Sequence, residues 1–268
     1  MPAVGVKLVA LDIDGTVIPP GHGGSDHSPP AAVREAVRKL TAAGIPVVLA
    51  SGRMFPGTVR VARELRLITP LVCQQGCSVH RIDGEMLHVF PIERRLAVDI
   101  INFARERGLD YEWFNPVRYI ASRPSAATRR YGEVSGIEPE YRPDPEFSGV
   151  VPTGVGIISD AEQAGGIHRE LVGRYGERLH VLDFPEVTVA VAPEANKGHA
   201  LSLICADYGI DRDDVVAVGD SVNDAAMLAW AGLGAAMAHA DPYARDAADL
   251  ILEPGEDALA AFLVSLVL

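Results

Sequence analysis

The chain has 268 residues, of which 48% are hydrophobic and 22% charged, with a formal net charge of −12 at pH 7. This length suits one large domain or two smaller ones and is enough to bury a substantial core. The acidic balance argues against binding to the phosphate backbone of a nucleic acid, because proteins that do so carry a basic stripe.

Cysteine usage and the lack of long apolar runs bear on where the protein resides. The three cysteines, Cys73, Cys77 and Cys205, cannot all pair, and the first two lack the two-residue spacing of a zinc or redox motif. The N-terminus does not have the charged and apolar regions of a signal peptide, and no run reaches the roughly 18 apolar residues that span a bilayer. We expect a soluble, cytoplasmic protein without a membrane partner.

The first predicted strand ends in two carboxylates. Residues 6–11 form an apolar run typical of a parallel strand buried on both faces, and Asp12-Ile13-Asp14-Gly15-Thr16 follows. Ligands of open α/β sheets bind outside the carboxyl ends of the strands. Alternation along the strand puts the two carboxylates on one side, where they repel each other unless a cation or a proton neutralises them. The pair indicates a divalent metal site or an acid/base pair, and the plainer alternative is a strand end that caps the next turn.

A loop rich in Gly, Pro and His covers residues 19–27 and is expected to be exposed. Its histidines, His22 and His27, are expected to be solvated rather than to contact a ligand. Ser28 then predicts the N-cap of a helix that ends at Gly44.

A second buried strand is predicted over residues 45–50 and ends in Ser51-Gly52-Arg53. Strand, helix and strand form a right-handed crossover with parallel strands, so Ser51 and Asp12 reach the same edge of the sheet. A hydroxyl, exposed backbone N–H groups and an arginine suit an oxyanion or a phosphate. A polar strand-to-helix turn without a ligand is the alternative.

The middle of the chain has a different pattern. After a helix near residues 57–67 and a strand at 71–73, a hairpin covers residues 79–90, and strands and helices then alternate to residue 186. This pattern is typical of an α+β unit with an antiparallel sheet, inserted into the parallel one. Aromatic residues of its strands either line a ring-binding surface or, more commonly, belong to its core. The candidates for such a surface are Tyr111, Trp113, Arg118 and Tyr119.

The parallel pattern is predicted to resume at residues 187–191. Lys197 opens the next helix, at the end where the helix dipole disfavours a cation, and this misfit favours a functional lysine over a solvated one. The strand at residues 215–218 leads to Asp220 and Asp224, which straddle a strand-to-helix turn and can both face the crevice. Capping of the helix explains Asp224 alone but does not explain Asp220.

Four separated segments therefore share one edge of the predicted sheet. Their carboxylates form the oxygen-rich set that Mg²⁺ prefers, and the lysine and the hydroxyl suit a phosphoryl group. The predicted reaction is phosphoryl transfer, with Asp12 attacking phosphorus and Asp14 moving the proton. The residues are Asp12 and Asp14, Ser51, Lys197, and Asp220 with Asn223 and Asp224.

The motifs Asp-x-Asp-Gly-Thr, Ser-Gly-Arg, Lys-Gly and Gly-Asp-x-x-Asn-Asp, in this order, resemble those of the haloacid dehalogenase superfamily of phosphatases. The large insertion resembles the cap of the type IIB, Cof-like branch. The resemblance implies an α/β fold with a Rossmann-like parallel-sheet core over residues 1–80 and 187–268. It implies an inserted α+β cap domain of the C2B type over residues 81–186.

The resemblance also implies roles for single residues and a substrate class. The enzyme would use Mg²⁺ and an aspartyl-phosphate intermediate to hydrolyse a small phosphorylated metabolite, with a sugar phosphate as the expected case. Arg53 matches the second motif without an assigned contact. The implied roles are nucleophile for Asp12, general acid/base for Asp14, Mg²⁺ binding for Asp12, Asp220 and the Asp14 main-chain carbonyl, metal support for Asn223 and Asp224, and phosphate binding for Ser51, Gly52 and Lys197.

Two segments depart from the pattern of the superfamily. Gln75-Gly76-Cys77 stands where members commonly have Asn-Gly-Ala, and Ala238-His239-Ala240 stands where they commonly have Gly-Asn-Ala. Both lie near the predicted crevice and bear on substrate contacts. Two other functions stay open, a sugar phosphomutase that uses the same motifs and a noncatalytic protein that binds a phosphorylated ligand. The sequence gives no indication of the oligomeric state.

Overall fold

Strands and helices alternate through most of the chain. The structure is a computed structural model that describes residues 5–20 and 28–267, so the expectations for His22 and His27 lie outside the described residues. No helix within these ranges is both long and apolar enough to cross a membrane. The strands are β1 (Leu8–Leu11), β2 (Val47–Leu49), β3 (Leu71–Cys73), β4 (Ser78–His80), β5 (Met86–Val89), β6 (Asp110–Phe114), β7 (Tyr119–Ala121), β8 (Glu140–Tyr141), β9 (Gly154–Ile158), β10 (His180–Asp183), β11 (Val187–Val191), β12 (Val215–Gly219), β13 (Leu233–Ala236) and β14 (Leu250–Ile251). The helices are α1 (Ala31–Ala42), α2 (Phe55–Glu64), α3 (Arg94–Glu106), α4 (Ala126–Ser135), α5 (Ala161–Tyr175), α6 (Lys197–Tyr208), α7 (Ala225–Trp230), α8 (Pro242–Ala247) and α9 (Ala258–Ser265).

A parallel sheet carries the strand ends that were predicted to act together. In the described part of the chain its order is β14-β13-β12-β1-β2, so β1 lies between β12 and β2. Every side chain of β1 is buried, with Val9 and Leu11 packed on one face of the sheet and Leu8 and Ala10 on the other. Burial on both faces explains the unbroken apolar run of the sequence. The carboxyl ends of β1, β2 and β12 consequently meet at one edge.

A second sheet lies between β5 and α6 in the chain and forms the cap. Its order over the described residues is β10-β11-β9-β6-β7-β8, and all neighbouring pairs are antiparallel except β7 and β8. One face buries Trp113 and Ile157 against α3 and α5, and Leu171 of α5 belongs to the same cluster. The other face, with Phe114 and Val189, packs toward residues of the parallel-sheet core. This sheet and its helices are the inserted α+β unit that the sequence predicted.

The prediction that residues 187–191 resume the parallel sheet is wrong. β11 pairs antiparallel with β10 and β9 and is an inner strand of the cap sheet. A continuous apolar run shows that a strand is buried, but it specifies neither its direction nor its partner. The predicted boundary between residues 186 and 187 would cut this paired hairpin, and the boundary between 80 and 81 would cut the pair of β4 and β5. We propose that the cap runs from the end of β5 to the end of β11.

Helix α1 also begins later than predicted. Pro30 precedes its first residue, and no side chain caps it, whereas Ser28 was predicted as the N-cap. A residue before proline is disfavoured in the helical region, so the Pro29-Pro30 pair delays the start of the helix. Gly44 does follow the helix, with a φ of 83°.

Candidate active site

The side chain of Asp12 is buried at the carboxyl end of β1, beside Lys197. Asp12 is 3% exposed, and the Lys197 ammonium donates a hydrogen bond of 2.6 Å to its Oδ1. Lys197 is the first residue of α6, is completely buried, and donates a second hydrogen bond of 2.6 Å to Asp224 Oδ1. Burial alone would favour the neutral amine, but the two carboxylates outweigh it and hold the pKa of Lys197 above its usual value. Two buried anions thus explain a cation at a helix start.

Three carboxylates lie around this lysine, of which Asp12 and Asp224 are buried and Asp220 is partly buried. Asp12, Asp220 and Asp224 each offer an oxygen atom, and the three atoms lie within 4.8 Å of one another. Asp224 Oδ2 accepts hydrogen bonds of 2.9 and 3.0 Å from the N–H groups of Asp220 and Ser221. Asp12 Oδ2 and Asp220 Oδ1, in contrast, are buried without a partner among the residues described. Burial and then repulsion between the carboxylates raise the pKa of Asp12 to about 7 and that of Asp220 to about 9.

The two unpaired oxygens fit a hard divalent cation. One lysine faces three carboxylates, so the cluster keeps an excess of negative charge when all three are ionised. Mg²⁺ takes oxygen ligands and would both offset this charge and use the unpaired atoms. The loop after β1 approaches the cluster closely, because a Cβ at Gly15, whose φ is 91°, would lie 2.1 Å from Asp220 Oδ2. Only glycine meets both conditions at this position.

Asp14 faces the same cavity as Asp12 but is held by a different cation. Arg53 donates two hydrogen bonds to its carboxylate, of 2.7 Å from Nε and 2.5 Å from Nη2. Arg53 is buried, whereas the Asp14 side chain is 50% exposed. This bidentate pair was not predicted, although Arg53 follows the strand next to β1 and its fork geometry matches a carboxylate. The two aspartates are therefore distinguished by their partners, a lysine for Asp12 and an arginine for Asp14.

The predicted phosphate-binding segment lies at the end of β2. Ser51 is completely buried, and its Oγ accepts a hydrogen bond of 3.1 Å from the N–H of Arg53. Gly52 lines the cavity, and a Cβ at this position would lie 2.8 Å from the Gln75 side-chain amide. Glycine therefore lets the backbone of this turn approach both Gln75 and the cavity. Ser51 lies behind this layer, completely out of contact with solvent.

The Gln75 departure belongs to the site. Asn223 Nδ2 donates a hydrogen bond to Gln75 Oε1, and the Ser221 hydroxyl donates one of 2.6 Å to Asn223 Oδ1. Gln74 and Gln75 both have positive φ, of 52° and 63°, so the turn after β3 is tightly wound. Gln75 and Asn223 line the cavity beside Asp12. Gln75, which replaces the usual asparagine, thus connects the turn after β3 with the turn after β12.

The His239 departure also lies at the site, next to Asp220. His239 Nε2 is 2.8 Å from the Gly15 carbonyl oxygen and 3.5 Å from Asp220 Oδ2. Since a carbonyl only accepts hydrogen bonds, the contact with Gly15 requires a hydrogen on Nε2. His239 thus ties the loop after β1 to the turn after β12.

Hydrogen bonds join the cap to the core around the site. The Tyr131 hydroxyl of α4 donates a hydrogen bond of 3.2 Å to the Gly52 carbonyl, and the Met54 N–H donates one of 3.2 Å to Ser135 Oγ. Helix α2 fits against α4 because Gly57 has no side chain, since a Cβ there would lie 2.1 Å from a backbone oxygen of α4. On the other side, Gln74 Nε2 donates a hydrogen bond of 2.9 Å to a cap carbonyl.

A cavity of about 550 Å³ lies between the two domains. The predicted catalytic residues Asp12 and Asp14 line its core side. Its cap side is largely apolar apart from Glu112 and the ion pair of Arg130 and Glu186. The lining residues from the core are Asp12, Asp14, Gly52, Arg53, Gln75, Ser221 and Asn223. Those from the cap are Glu112, Phe114, Ala127, Arg130, Tyr131, Val134, Phe184, Pro185, Glu186, Val187 and Val189.

None of the four candidates for a ring-binding surface lines this cavity. Tyr111 and Trp113 belong to the cap core, where the Trp113 indole N–H donates a hydrogen bond of 3.1 Å to a backbone carbonyl. Tyr119 is buried, and Arg118 pairs with Glu140. The alternative prediction, that these aromatic residues belong to the core of the cap, is therefore correct. Glu112 and Phe114, which alternate with Trp113 on β6, line the cavity instead.

Comparison with known proteins gives the family. A family model of haloacid dehalogenase-like hydrolases matches residues 9–263. The chain belongs to the haloacid dehalogenase-like hydrolase family. It is 32% identical to a phosphoglycolate phosphatase of Halorubrum lacusprofundi, over 92% of this chain and 91% of that protein. It is 24% identical to Phosphatase YwpJ of Bacillus subtilis, over 92% of this chain and 94% of that protein.

Solved structures of haloacid dehalogenase-like hydrolases share the fold. The subclass IIB sugar phosphatase BT4131 has a TM-score of 0.82 at 19% identity, covering 96% of this chain and 97% of its own. A haloacid dehalogenase-like hydrolase from Bacillus subtilis has a TM-score of 0.82 at 22% identity, covering 96% and 98%. These matches confirm the predicted family, the fold class of a parallel-sheet core with an inserted α+β cap, and a phosphatase. The roles of single residues stay predictions.

Proposed function

We propose that this protein is a Mg²⁺-dependent phosphatase that hydrolyses a small phosphomonoester through an aspartyl-phosphate at Asp12. The observation that carries the proposal is the cluster of three buried or partly buried carboxylates around Lys197, with two buried carboxylate oxygens left unpaired among the described residues. Such a cluster is costly to bury unless a further cation offsets its negative charge. Membership of the hydrolase family supports the same chemistry.

The first step transfers the phosphoryl group to Asp12. A carboxylate oxygen of Asp12 attacks phosphorus, the bond between phosphorus and the leaving oxygen breaks, and Asp14 delivers a proton to that oxygen. In the second step Asp14 takes a proton from water, whose oxygen attacks phosphorus and releases Asp12 and inorganic phosphate. Mg²⁺ held by Asp12, Asp220 and the Asp14 carbonyl would supply positive charge at the transferring phosphoryl group.

The remaining groups bind and orient the substrate in this proposal. Lys197 favours the ionised form of Asp12, against the effect of burial, and its charge lies behind the nucleophile. The backbone N–H of Gly52 would bind a phosphate oxygen, whereas that of Ser51 donates a hydrogen bond of 2.9 Å to the Val72 carbonyl. Arg53 orients the Asp14 carboxylate, and each Asp14 oxygen keeps a second lone pair that can accept a proton.

The substrate is proposed to be a small phosphorylated metabolite. A cavity of about 550 Å³ falls within the range of about 300–1,000 Å³ for small-molecule sites. The relatives include a phosphoglycolate phosphatase, an HMP-PP phosphatase and a sugar phosphatase, which do not share one substrate. The expected sugar phosphate stays a proposal, and the mostly apolar cap side of the cavity bears on which substrates fit.

Replacement of the nucleophile tests the proposal. Asp12→Asn is expected to abolish release of inorganic phosphate from p-nitrophenyl phosphate while far-ultraviolet circular dichroism stays unchanged. Phosphate release without a bisphosphate intermediate would also argue against the phosphomutase, and saturable binding without consumption, even with Mg²⁺, would favour the noncatalytic protein. Near-normal turnover by the variant would contradict the covalent mechanism.

A further inference from the structure

The cavity contains a buried carboxylate that the reaction at Asp12 does not use. Glu112 lies on β6, is 5% exposed and lines the cap side of the cavity. Its Oε1 accepts a hydrogen bond of 2.7 Å from the Tyr119 hydroxyl, and this is its one hydrogen-bond partner within the described ranges. Burial outweighs this hydrogen bond and raises the pKa of Glu112 to about 7. One neutral donor does not offset the cost of burying a carboxylate, so a cation or a further donor would stabilise it.

The protein does not supply that cation from the cavity walls. Of the described lining residues, Arg53 and Arg130 carry a positive charge. Arg53 is engaged with Asp14 at the core end, and Arg130 forms an ion pair with Glu186 at the cap end. Neither is hydrogen-bonded to Glu112. The partner of this carboxylate is therefore expected to arrive with the ligand.

The cap sheet is shaped to leave Glu112 room beside the cavity. Gly156 is the register partner of Glu112 on β9, and a Cβ there would lie 2.9 Å from Glu112 Oε2. Gly154 is the partner of Phe114, and a Cβ there would lie 2.5 Å from the phenyl ring. Two glycines on one face of the same strand let the carboxylate and the ring lie close to the backbone of the sheet. The result is a recess on the face that looks toward the active site.

Apolar side chains surround this recess. Phe114, Phe184 and Val189 belong to one hydrophobic cluster and line the cavity, which Val134 from α4 also lines. A polyhydroxylated ligand would need several polar groups here to replace its hydrogen bonds to water, because unpaired buried hydroxyls are costly. A single acceptor among apolar walls instead suits a ring with one donor group. Ring faces would pack on the apolar side chains, and the donor would point to Glu112.

We propose that the leaving group of the substrate is a compact ring bearing a nitrogen donor, an ammonium or N–H group that binds the Glu112 carboxylate. The inference rests on the proposed phosphatase function and narrows its substrate class. The phosphate occupies the Asp12 end of the cavity, and the nitrogen occupies the cap recess. An amino sugar phosphate and the phosphate ester of an aromatic amine both carry such a donor, and the aromatic ester fits the apolar walls better because it has no further hydroxyl groups to pair.

Matched substrate pairs test the assignment. One pair is glucosamine 6-phosphate and glucose 6-phosphate, and the other is 3-(aminomethyl)phenyl phosphate and 3-(hydroxymethyl)phenyl phosphate. Within each pair the two esters differ in the nitrogen donor, so the ratio of their kcat/KM values measures its recognition. The ratio is measured with Mg²⁺ for the natural protein, for Glu112→Gln, and for Glu106→Gln as a control at an exposed carboxylate of α3.

The natural protein and Glu106→Gln are expected to prefer the nitrogen ester of at least one pair by about 10- to 100-fold, the range for a hydrogen bond to a charged group. Glu112→Gln is expected to bring that ratio toward one. The pair with the larger ratio identifies the ring as a sugar or an aromatic. A ratio near one in the natural protein, or a ratio that survives in Glu112→Gln, would overturn the inference.

A binding measurement separates this inference from the proposed function. Calorimetric titration of Asp12→Asn and of Asp12→Asn with Glu112→Gln, using the same four esters, gives the preference without turnover. If the titrations show a nitrogen preference that depends on Glu112, while the natural protein hydrolyses none of the esters, the result would contradict the phosphatase and support the recess as a nitrogen site. Hydrolysis of all four esters by the natural protein without a preference would support the phosphatase and contradict the nitrogen site.

Discussion

Removal of the Lys197 charge leaves two carboxylates buried without their cation. Lys197→Met keeps an unbranched side chain of similar length but loses hydrogen bonds of 2.6 Å to Asp12 and Asp224, whose side chains are 5% and 0% exposed. Loss of one partner from a buried ion pair costs about 3–5 kcal/mol. Since domains are stable by about 5–15 kcal/mol, we expect a large fall in the free energy of unfolding. The measurement is urea unfolding of metal-free protein above neutral pH.

A surface pair of the same length is the control. Lys7 pairs with Asp214 at 2.6 Å, but the Lys7 side chain is 59% exposed, so Lys7→Met is expected to change stability little. Mg²⁺ is expected to restore part of the loss in Lys197→Met, by about 2.7 kcal/mol at 100 times its Kd, because it binds the folded cluster. A loss no greater than that of Lys7→Met, or no effect of Mg²⁺, would refute the view that lysine and metal share the neutralisation of the cluster.

Three further predictions concern the arginine pair, the cap carboxylate and the helix contact. Arg53→Lys keeps the charge but not the fork that holds Asp14, so kcat for p-nitrophenyl phosphate should fall by about 10- to 100-fold, and an unchanged kcat would contradict a role for this pair. Because burial raises the pKa of Glu112 from 4.5 to about 7, the folded protein binds the extra proton between these values and loses stability as pH rises through them. Glu112→Gln should remove up to about 3 kcal/mol of that loss, which urea unfolding at both ends of this pH window would detect. Gly57→Ala should lower the thermal midpoint by steric conflict with α4, whereas Gly173→Ala in α5, where a Cβ meets nothing within 4 Å, should raise it, and equal shifts would refute the contact.

The positions of the strand ends in the core were predictable because parallel strands joined by right-handed crossovers place their carboxyl ends at one edge of the sheet. Each of β1, β2 and β12 combines an apolar run with polar residues directly after it, and the crossover rule brings their carboxyl ends together. Lys197 was recognisable because its charge conflicts with the helix dipole, and the structure shows the two carboxylates that explain it. Local sequence therefore identified residues whose chemistry is unusual for their position.

Features that depend on the partner of a residue were not predictable in the same way. Arg53 was seen, but its pairing with Asp14 depends on the relative height of two strand ends, which no local pattern specifies. The run at residues 187–191 is apolar in either sheet, so its direction follows from packing against β9 and β10. Glu112 was not predicted as a site residue because the aromatic residues on either side of it dominate the pattern of β6. Glu112 lies between them and faces the cavity.

Detection of a phosphorylated Asp12 tests the central claim most directly. Protein quenched during turnover of p-nitrophenyl phosphate and reduced with borohydride would convert an aspartyl-phosphate to homoserine, which peptide mass spectrometry locates. We predict homoserine at position 12, dependent on Mg²⁺ and absent without substrate. Steady turnover with unmodified Asp12 in every condition, together with turnover by Asp12→Asn, would contradict the account.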